Sequence, residues 1–291
     1  FIHALRKAAP DAHITMLVDE KLKDVVLFNP YLDEVVTIDK KGRDNSILSL
    51  WACSRHLSKL DFDVLINLHP NERCSFIDAM TSVKLRTGTT HKIFKWFWDV
   101  FTPLDRSMHA ADMYLDVLQQ LGVQDLSNNG LEIFPGEEHF LEAELFWQEQ
   151  NITDQDKLIG FNIGSAVPTK RWPPERFAEV ADIFAAKGYK TVFFGGPMDE
   201  EMVAEATGYM QTRSIIATGH FAIGGLAAAM RRCCLIITND SGPMHVAISQ
   251  KVPIVAMYGP SNPKLYGPYT KDAVIAVSYT HLRAHETCAD L

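Results

Sequence analysis

Residues 235–249 read LIITNDSGPMHVAIS. The apolar run 235–238 predicts a buried β-strand, and residues 242–249 predict a helix that begins after a short polar turn. Strands of a parallel sheet carry nearly continuous apolar runs, because helices cover both faces of such a sheet. The stretch therefore predicts one strand–loop–helix step of an α/β domain.

The same alternation continues on both sides of this stretch. Residues 157–162 and 191–194 predict strands that are each followed by a helix, and residues 254–258 predict a further strand. A charged helix is expected over 137–149. The remaining predicted elements of this half are helices 174–187, 199–209 and 223–232 and strand 214–217.

The first half of the chain shows a second series of the same kind. Its predicted strands are 13–18, 34–38 and 63–68, and its predicted helices are 21–28, 45–60 and 108–121. Because right-handed crossovers between strands produce parallel sheets, two such series predict two doubly wound domains. We expect an α/β protein with one Rossmann-like domain at 1–135, a second at 136–277, and a cleft between them.

Composition narrows the class of protein. The chain has 291 residues, of which 47% are hydrophobic and 22% charged, as in a globular protein of about two domains. No apolar run is long enough to predict a membrane span. The formal net charge of -8 argues against a nucleic-acid partner, because neutralising phosphates needs a basic face. The five cysteines lack CxxC or metal-ligand spacing, so we expect free thiols, a reducing compartment and no metal site.

Both ends of the sequence are expected to be incomplete or foreign. Residues 1–9 (FIHALRKAA) begin in the middle of a helical pattern, without an initiator Met or a signal peptide. Residues 278–291 show neither helical nor strand periodicity and resemble a translated sequencing adaptor, so we expect a non-native tail. The alternative is a genuine tail that carries His281 and His285.

A loop with the composition of a phosphate site follows the first strand of the second domain. It reads GSAVPTKRWPP and combines a glycine, hydroxyl groups, two cations and a helix start. Backbone N–H groups, the hydroxyls of Ser165 and Thr169 and the helix dipole favour an anion, and Lys170 or Arg171 neutralises it. The alternative is a solvated loop whose cations only aid solubility.

The turn NDSGPMH, after strand 235–238, is a second candidate binding segment. Asp240 or Ser241 can cap the helix, Gly242 leaves space at its start, and His245 falls in its first turn. Together they offer an acceptor for sugar hydroxyls, N–H donors for an anion, and an imidazole. The alternative is that Asp240 is only a helix cap.

Two glycines and three acids follow strand 191–194 in the segment GGPMDEE. The glycines leave space for a flat ligand, and Asp199 or Glu200 can accept hydrogen bonds from ribose hydroxyls. Acids are also favoured in a first helical turn by the helix dipole, so a purely structural role stays open. The segment YGPSNPKLYGP after strand 254–258 is either simple turn chemistry or one wall of the cleft.

The first domain offers weaker candidates. His69 follows strand 63–68, but a lone histidine beyond a strand is more often structural than catalytic. Trp96, Phe97 and Trp98 can line an acceptor groove or touch a membrane surface. A local aromatic core is the interpretation we favour.

Four segments taken together carry a resemblance to a known family. GSAVPTKRWP, FFGGPMDEE, TNDSGPMHVA and YGPSNPKLYGP resemble, in order and spacing, the C-terminal domain of the ADP-heptose:lipopolysaccharide heptosyltransferase family, glycosyltransferase family 9. FIHALRKAAPDAHITMLVD and HAADMYLDVLQQLG resemble N-terminal elements of the same family. The resemblance implies the GT-B architecture and a metal-independent, inverting transfer of heptose from ADP-heptose to an inner-core lipopolysaccharide acceptor, without a cofactor.

The resemblance also assigns residues. Those that match the family's nucleotide-sugar site are Ser165, Thr169, Lys170, Asp199, Glu200, Asp240, Ser241, Gly242 and His245. Of these, Lys170 and Asp240 are the catalytic candidates. The family's general base is an Asp in the loop after the first strand, upstream of this chain's first residue. We therefore expect a fragment that binds the donor weakly and transfers nothing.

The implied partners are an ADP-sugar donor, a lipopolysaccharide core acceptor and, peripherally, the cytoplasmic face of the inner membrane. We expect a cytoplasmic monomer. The alternatives are another GT-B enzyme, such as a nucleotide-sugar 2-epimerase or a transferase of a different sugar, and a non-catalytic two-domain ligand-binding protein.

Overall fold

The computed structural model describes residues 1–90 and 92–277. The tail predicted at 278–291 lies outside the described residues, as do its two histidines. The chain divides into two compact units. The first unit consists of 1–23 and 30–128, and the second consists of 24–29 and, among the described residues, 129–277. This division falls upstream of the predicted boundary at 135.

Residues 1–128 contain short strands and helices in alternation. The strands are β1 (Thr15–Asp19), β2 (Glu34–Ile38), β3 (Val64–Asn67), β4 (Leu85–Gly88) and β5 (Val100–Phe101). The helices are α1 (Ile2–Ala8), α2 (Lys23–Val26), α3 (Ile47–Ser58), α4 (Glu72–Met80) and α5 (Ala110–Gln120). β1 and β2 form one parallel pair, and β3, β4 and β5 form a separate parallel sheet in that order.

Several of these elements differ from the sequence prediction. The helix predicted over 21–28 is a 3₁₀ turn, Glu20–Leu22, followed by the single turn α2. Helix α4 and strand β4 were not predicted, because neither shows a clear apolar periodicity. Gly88 ends β4 with a φ of 103°, a conformation that favours glycine.

Residues 137–277 build a larger α/β unit. Its strands are β6 (Leu158–Asn162), β7 (Lys190–Phe194), β8 (Ile215–Ile216), β9 (Cys233–Asn239), β10 (Ile254–Tyr258) and β11 (Ala273–Val277). Its helices are α6 (Glu137–Glu149), α7 (Pro174–Ala186), α8 (Glu200–Tyr209), α9 (Ile223–Met230), α10 (Gly242–Ser249) and α11 (Pro263–Tyr266). All six strands are parallel, in the order β11-β10-β9-β6-β7-β8.

Helices cover both faces of this six-stranded sheet. Successive strand residues point to opposite faces, so Val192 and Phe194 pack with α6, α9 and α10, whereas Phe193 packs with α7 and α8. The inner strands β6 and β7 are almost fully buried for this reason, whereas the edge strands β8 and β11 are partly exposed. The predicted α/β class and doubly wound parallel sheet are confirmed in this unit. Every helix in the described ranges is too short or too polar to cross a bilayer.

Candidate functional site

The carboxyl ends of four adjacent strands bring the candidate segments together. β10, β9, β6 and β7 are consecutive in the sheet and parallel, so the loops that follow them leave from one edge. Two close approaches show that these loops meet. A Cβ on Gly259 would lie 3.1 Å from the carbonyl oxygen of Thr169, and a Cβ on Gly164 would lie 2.4 Å from the carboxyl group of Asp199.

The pair formed by Lys170 and Asp240 lies at the centre of this edge. The Lys170 ammonium Nζ is 2.7 Å from Oδ2 of Asp240, across 70 residues of sequence. Asp240 is buried and Lys170 is half-buried. A carboxylate out of water is costly unless a cation or donor accompanies it, and Lys170 is that cation for Asp240. The sequence assigned both residues to one candidate site, and in the structure their side chains are in contact.

Two further side chains, those of Ser165 and Tyr258, lie next to Asp240. The Ser165 hydroxyl donates to the backbone carbonyl of Asp240 at 3.3 Å. The Tyr258 phenol lies close to the Asp240 carboxylate and donates to the carbonyl of Tyr266 at 3.2 Å. Burial, and then the neighbouring carboxylate, raise the pKa of Tyr258 above its usual value. Tyr258 therefore stays a neutral donor beside the pair.

Buried asparagines at the strand ends set the shape of the loops, and sequence reasoning missed them as site residues. Asn162 ends β6, and its Nδ2 donates to the hydroxyls of Thr238 (3.2 Å) and Ser241 (3.0 Å). Asn239 ends β9 and donates to the carbonyl of Ile163 at 2.7 Å, while its Oδ1 accepts from the backbone N–H of Trp172 at 3.0 Å. The sequence signal that could have identified them is an asparagine at the end of each apolar strand, because a buried amide needs hydrogen-bond partners.

The loop after β6 is held in a defined shape. Arg171 Nε donates to the carbonyl of Ser165 at 2.8 Å, and the 3₁₀ turn Pro168–Lys170 carries Lys170 toward Asp240. Arg171 therefore closes the loop, whereas Lys170 supplies the cation that points into the site. The sequence left open which of the two cations neutralises an anion; in the structure Lys170 faces the Asp240 carboxylate, and Arg171 binds a backbone carbonyl of its own loop.

The two acids that sequence analysis could not separate lie in different surroundings. Asp199 turns back toward the loop after β6, and its Oδ2 accepts from the backbone N–H of Gly196 at 2.9 Å. Glu200 instead lies beside Gly219, where a Cβ would come 3.1 Å from its Oε1. Asp199 is thus the acid next to Gly164 and the β6 loop.

The start of α10 is open toward solvent. Ser241 precedes the helix in an extended conformation, but its side chain makes no capping hydrogen bond and instead accepts from Asn162. The predicted cap by Asp240 or Ser241 is therefore wrong. Nothing lies within 4 Å of a Cβ built on Gly242, so the first turn is accessible. His245 follows in the same turn, half-buried.

The candidates of the first unit differ in exposure. The backbone N–H of the exposed His69 donates to Oδ1 of Asn67 at 2.6 Å. Of the aromatic group, Trp98 is buried, but Trp96 and Phe97 are exposed. The aromatic core favoured from the sequence is therefore correct for Trp98 and wrong for the other two.

These groups together suit a polyanion that carries hydroxyl groups. A lysine ammonium, serine and threonine hydroxyls and the N-terminus of α10 can meet phosphate oxygens. The carboxylates of Asp199 and Asp240 can accept hydrogen bonds from sugar hydroxyls. No cluster of three or more His, Cys, Asp or Glu side chains with metal-binding geometry occurs in the described part of the chain.

Comparison with known proteins gives a consistent result. The model of glycosyltransferase family 9 (heptosyltransferase) matches residues 50–289. A lipooligosaccharide heptosyltransferase 2 from Haemophilus ducreyi is 34% identical over 138 residues, which are 45% of this chain and 39% of that protein. The chain thus matches well under half the length of this curated relative.

Solved structures resemble nearly the whole chain. A crystal structure of a family 9 glycosyl transferase from Veillonella parvula is 55% identical with a TM-score of 0.94, over 98% of this chain and 83% of that one. The structure of E. coli ADP-heptose lps heptosyltransferase II is 22% identical with a TM-score of 0.76, over 94% and 84%. The fold is accordingly GT-B, with two Rossmann-like domains.

Proposed function

Because the chain belongs to glycosyltransferase family 9, the heptosyltransferases, we propose that it transfers heptose from ADP-heptose to an inner-core lipopolysaccharide acceptor. The observation that carries this proposal is the 2.7 Å pair of Lys170 and Asp240 beside the open start of α10. A cation, a carboxylate and a helix N-terminus lie where a sugar joined to a diphosphate needs all three.

In the proposed reaction the acceptor hydroxyl attacks the anomeric carbon from the face opposite the diphosphate. The bond from that carbon to the β-phosphate oxygen breaks, and ADP leaves with an additional negative charge. Lys170, the Ser165 and Thr169 hydroxyls and the N–H groups of α10 stabilise this charge, so no metal ion is required. The configuration at the anomeric carbon inverts.

Each acid has a separate role in this proposal. Asp240 holds the Lys170 ammonium and accepts from a sugar hydroxyl, with His245 one turn into α10 on the donor side. Asp199 accepts from the ribose hydroxyls, because it lies against Gly164, and Glu200 stands next to it in sequence but faces Gly219. As the acceptor hydroxyl attacks, its proton passes to a general base; Asp199 and Asp240 are engaged on the donor side, so we assign that role to neither.

The acceptor is a lipid, so the proposal includes peripheral contact with the cytoplasmic face of the inner membrane. We propose that the protein acts there as a monomer. Release of ADP in the presence of acceptor tests the proposed transfer, and its absence would contradict the proposal.

Donor binding is the direct test. Calorimetry of the purified chain with ADP, ADP-heptose, UDP and UDP-N-acetylglucosamine should show binding of the two adenine nucleotides only. Lys170→Met should weaken ADP binding by about tenfold or more, since a charge-assisted hydrogen bond is lost. Lys187→Met, an exposed lysine after α7, is the matched control and should bind as the wild type does.

Thermal unfolding of both variants separates a binding defect from a folding defect. UDP-sugar binding equal to that of ADP would instead support the epimerase or another GT-B enzyme. Equal affinities of Lys170→Met and Lys187→Met for ADP would overturn the assigned site.

A further inference from the structure

The 3₁₀ segment Lys92–Phe97 (KIFKWF) in the first unit separates its side chains into three rows. Side chains three residues apart eclipse one another in a 3₁₀ helix. Lys92 and Lys95 therefore share one row, Ile93 and Trp96 a second, and Phe94 and Phe97 a third. This sorting gives one short element a basic row and a separate apolar row.

Phe94 of the third row and the residue after the segment fix it to the unit. The Phe94 ring lies 6.4 Å from the Phe76 ring of α4, edge to face, and 6.4 Å from Phe97. Trp98 is buried, and its Nε1 donates to the carbonyl of Thr87 at 3.2 Å. The segment is therefore anchored from one side, and the side chains of its other two rows are exposed to solvent.

The apolar row lies in solvent. Trp96 is 94% exposed and Ile93 is 67% exposed. A single exposed apolar residue is ordinary, but a tryptophan and an isoleucine side by side on an anchored segment form a patch whose burial is favourable. Half-exposed Phe97 adjoins them.

The basic row has no acidic partner among the residues that the structure describes. Lys92 and Lys95 are exposed, and neither forms an ion pair with any residue in the described ranges. Lys95 Nζ lies 4.9 Å from the centroid of the Phe101 ring, a cation–π contact that leaves the ammonium without a carboxylate partner in the described ranges. Two unpaired cations in a chain of net charge -8 give this segment a local charge opposite to that of the whole chain.

We propose that residues 92–97 are the segment that docks the protein on a bilayer containing anionic lipid. Trp96 and Ile93 enter the interfacial region, and Lys92 and Lys95 contact lipid phosphates. This inference rests on the proposed membrane contact and names its surface, but it does not depend on the identity of the sugar donor.

The residue types favour a lipid surface over a protein partner. Tryptophan with flanking lysines is typical of membrane interfaces, where an amphipathic ring sits at headgroup level. Protein interfaces are depleted in lysine and bury about 800 Å² on each partner, more than one six-residue segment supplies.

Co-sedimentation with vesicles tests the apolar row. The wild type should bind vesicles of phosphatidylethanolamine and phosphatidylglycerol, and Ile93→Ala/Trp96→Ala should reduce the partition coefficient about tenfold. The matched control is Ile47→Ala/Leu48→Ala on α3, which removes two side chains that are 74% and 79% exposed in the same unit. It should bind vesicles as the wild type does.

The basic row has its own test. Lys92→Gln/Lys95→Gln should lose about fivefold in binding per charge on vesicles with phosphatidylglycerol, and nothing on phosphatidylcholine alone. Equal loss in the α3 control, or wild-type binding by Ile93→Ala/Trp96→Ala, would overturn the proposal. ADP affinity, measured on the same variants, should be unchanged, so failure of docking and failure of the donor site are distinguishable.

Discussion

Asp78 is a buried carboxyl group far in sequence from the donor site. It lies in α4, and Nδ2 of Asn67 donates to its Oδ2. Burial raises the pKa of Asp78 to about 7, although the Arg86 charge and the Asn67 hydrogen bond lower it in part. In the folded protein this acid therefore keeps its proton through much of the acidic range.

The pKa shift predicts a pH dependence of stability with a definite sign. Below about pH 4 both folded and unfolded states hold the proton, so Asp78 costs nothing. Between about 4 and 7 the unfolded chain ionises while the folded chain does not, so the free energy of unfolding falls as pH rises. The shift from 3.8 to about 7 corresponds to at most about 4 kcal/mol.

We expect Asp78→Asn to remove this loss of stability with rising pH, because an asparagine side chain does not ionise. Its amide oxygen can still accept the hydrogen bond from Asn67. Urea unfolding at pH 5 and pH 8 measures the effect, with Asp11→Asn in an exposed turn as control. The variant should gain stability relative to the wild type at both pH values, and at pH 5 the gain should be about a third of that at pH 8. If the stability of Asp78→Asn fell with pH as steeply as that of the wild type, Asp78 would not be the group responsible.

At the scale of the element, the loops after β6 and β7 fit together only because Gly164 has no side chain. A Cβ there would lie 2.4 Å from the Asp199 carboxyl group, well inside contact distance. Asp199 in turn fixes the loop after β7 through the Gly196 N–H. The two loops therefore constrain each other.

We expect Gly164→Ala to displace Asp199 and to lower stability by about 1–2 kcal/mol, as overpacking does. Asp199→Ala removes the carboxyl group that the new Cβ would meet. In that background Gly164→Ala should therefore lower the free energy of unfolding by almost nothing more. Gly242→Ala is the matched glycine control, since nothing lies near its Cβ. Additive effects of the two substitutions in denaturant unfolding would show that the loops do not touch in solution.

At the scale of the whole molecule, the proposed donor site belongs entirely to the second unit. A ligand that binds only the folded state stabilises it by about 2.7 kcal/mol at a hundred times its dissociation constant. ADP should therefore slow amide exchange chiefly in segments 162–171 and 239–245.

Hydrogen exchange followed by mass spectrometry checks this expectation. Segment 92–97 of the first unit serves as the internal reference, and its exchange should be unchanged by ADP. Protection distributed evenly over both units would place the donor elsewhere.

Local chemistry determined much of this fold in advance. The helices α6 and α10 and the strands β2 and β10 have the predicted bounds, because apolar periodicity and adjacent Gly and Pro residues set them locally. Helix α4 was not predicted, because the polar and apolar residues within it follow no regular period. Its position depends on packing against α3 and the 92–97 segment, which no local pattern records.

The sequence by itself determined the α/β class, the parallel strands and the candidate segments that follow them. Only the tertiary structure decided that Lys170 rather than Arg171 faces Asp240. It also decided that Asp199 rather than Glu200 lies against the loop after β6, and that Trp98 is buried while Trp96 is exposed. The physical reason is that strand and helix patterns depend on neighbours in sequence. Lys170 and Asp240 meet across 70 residues because β6 and β9 are neighbours in the sheet.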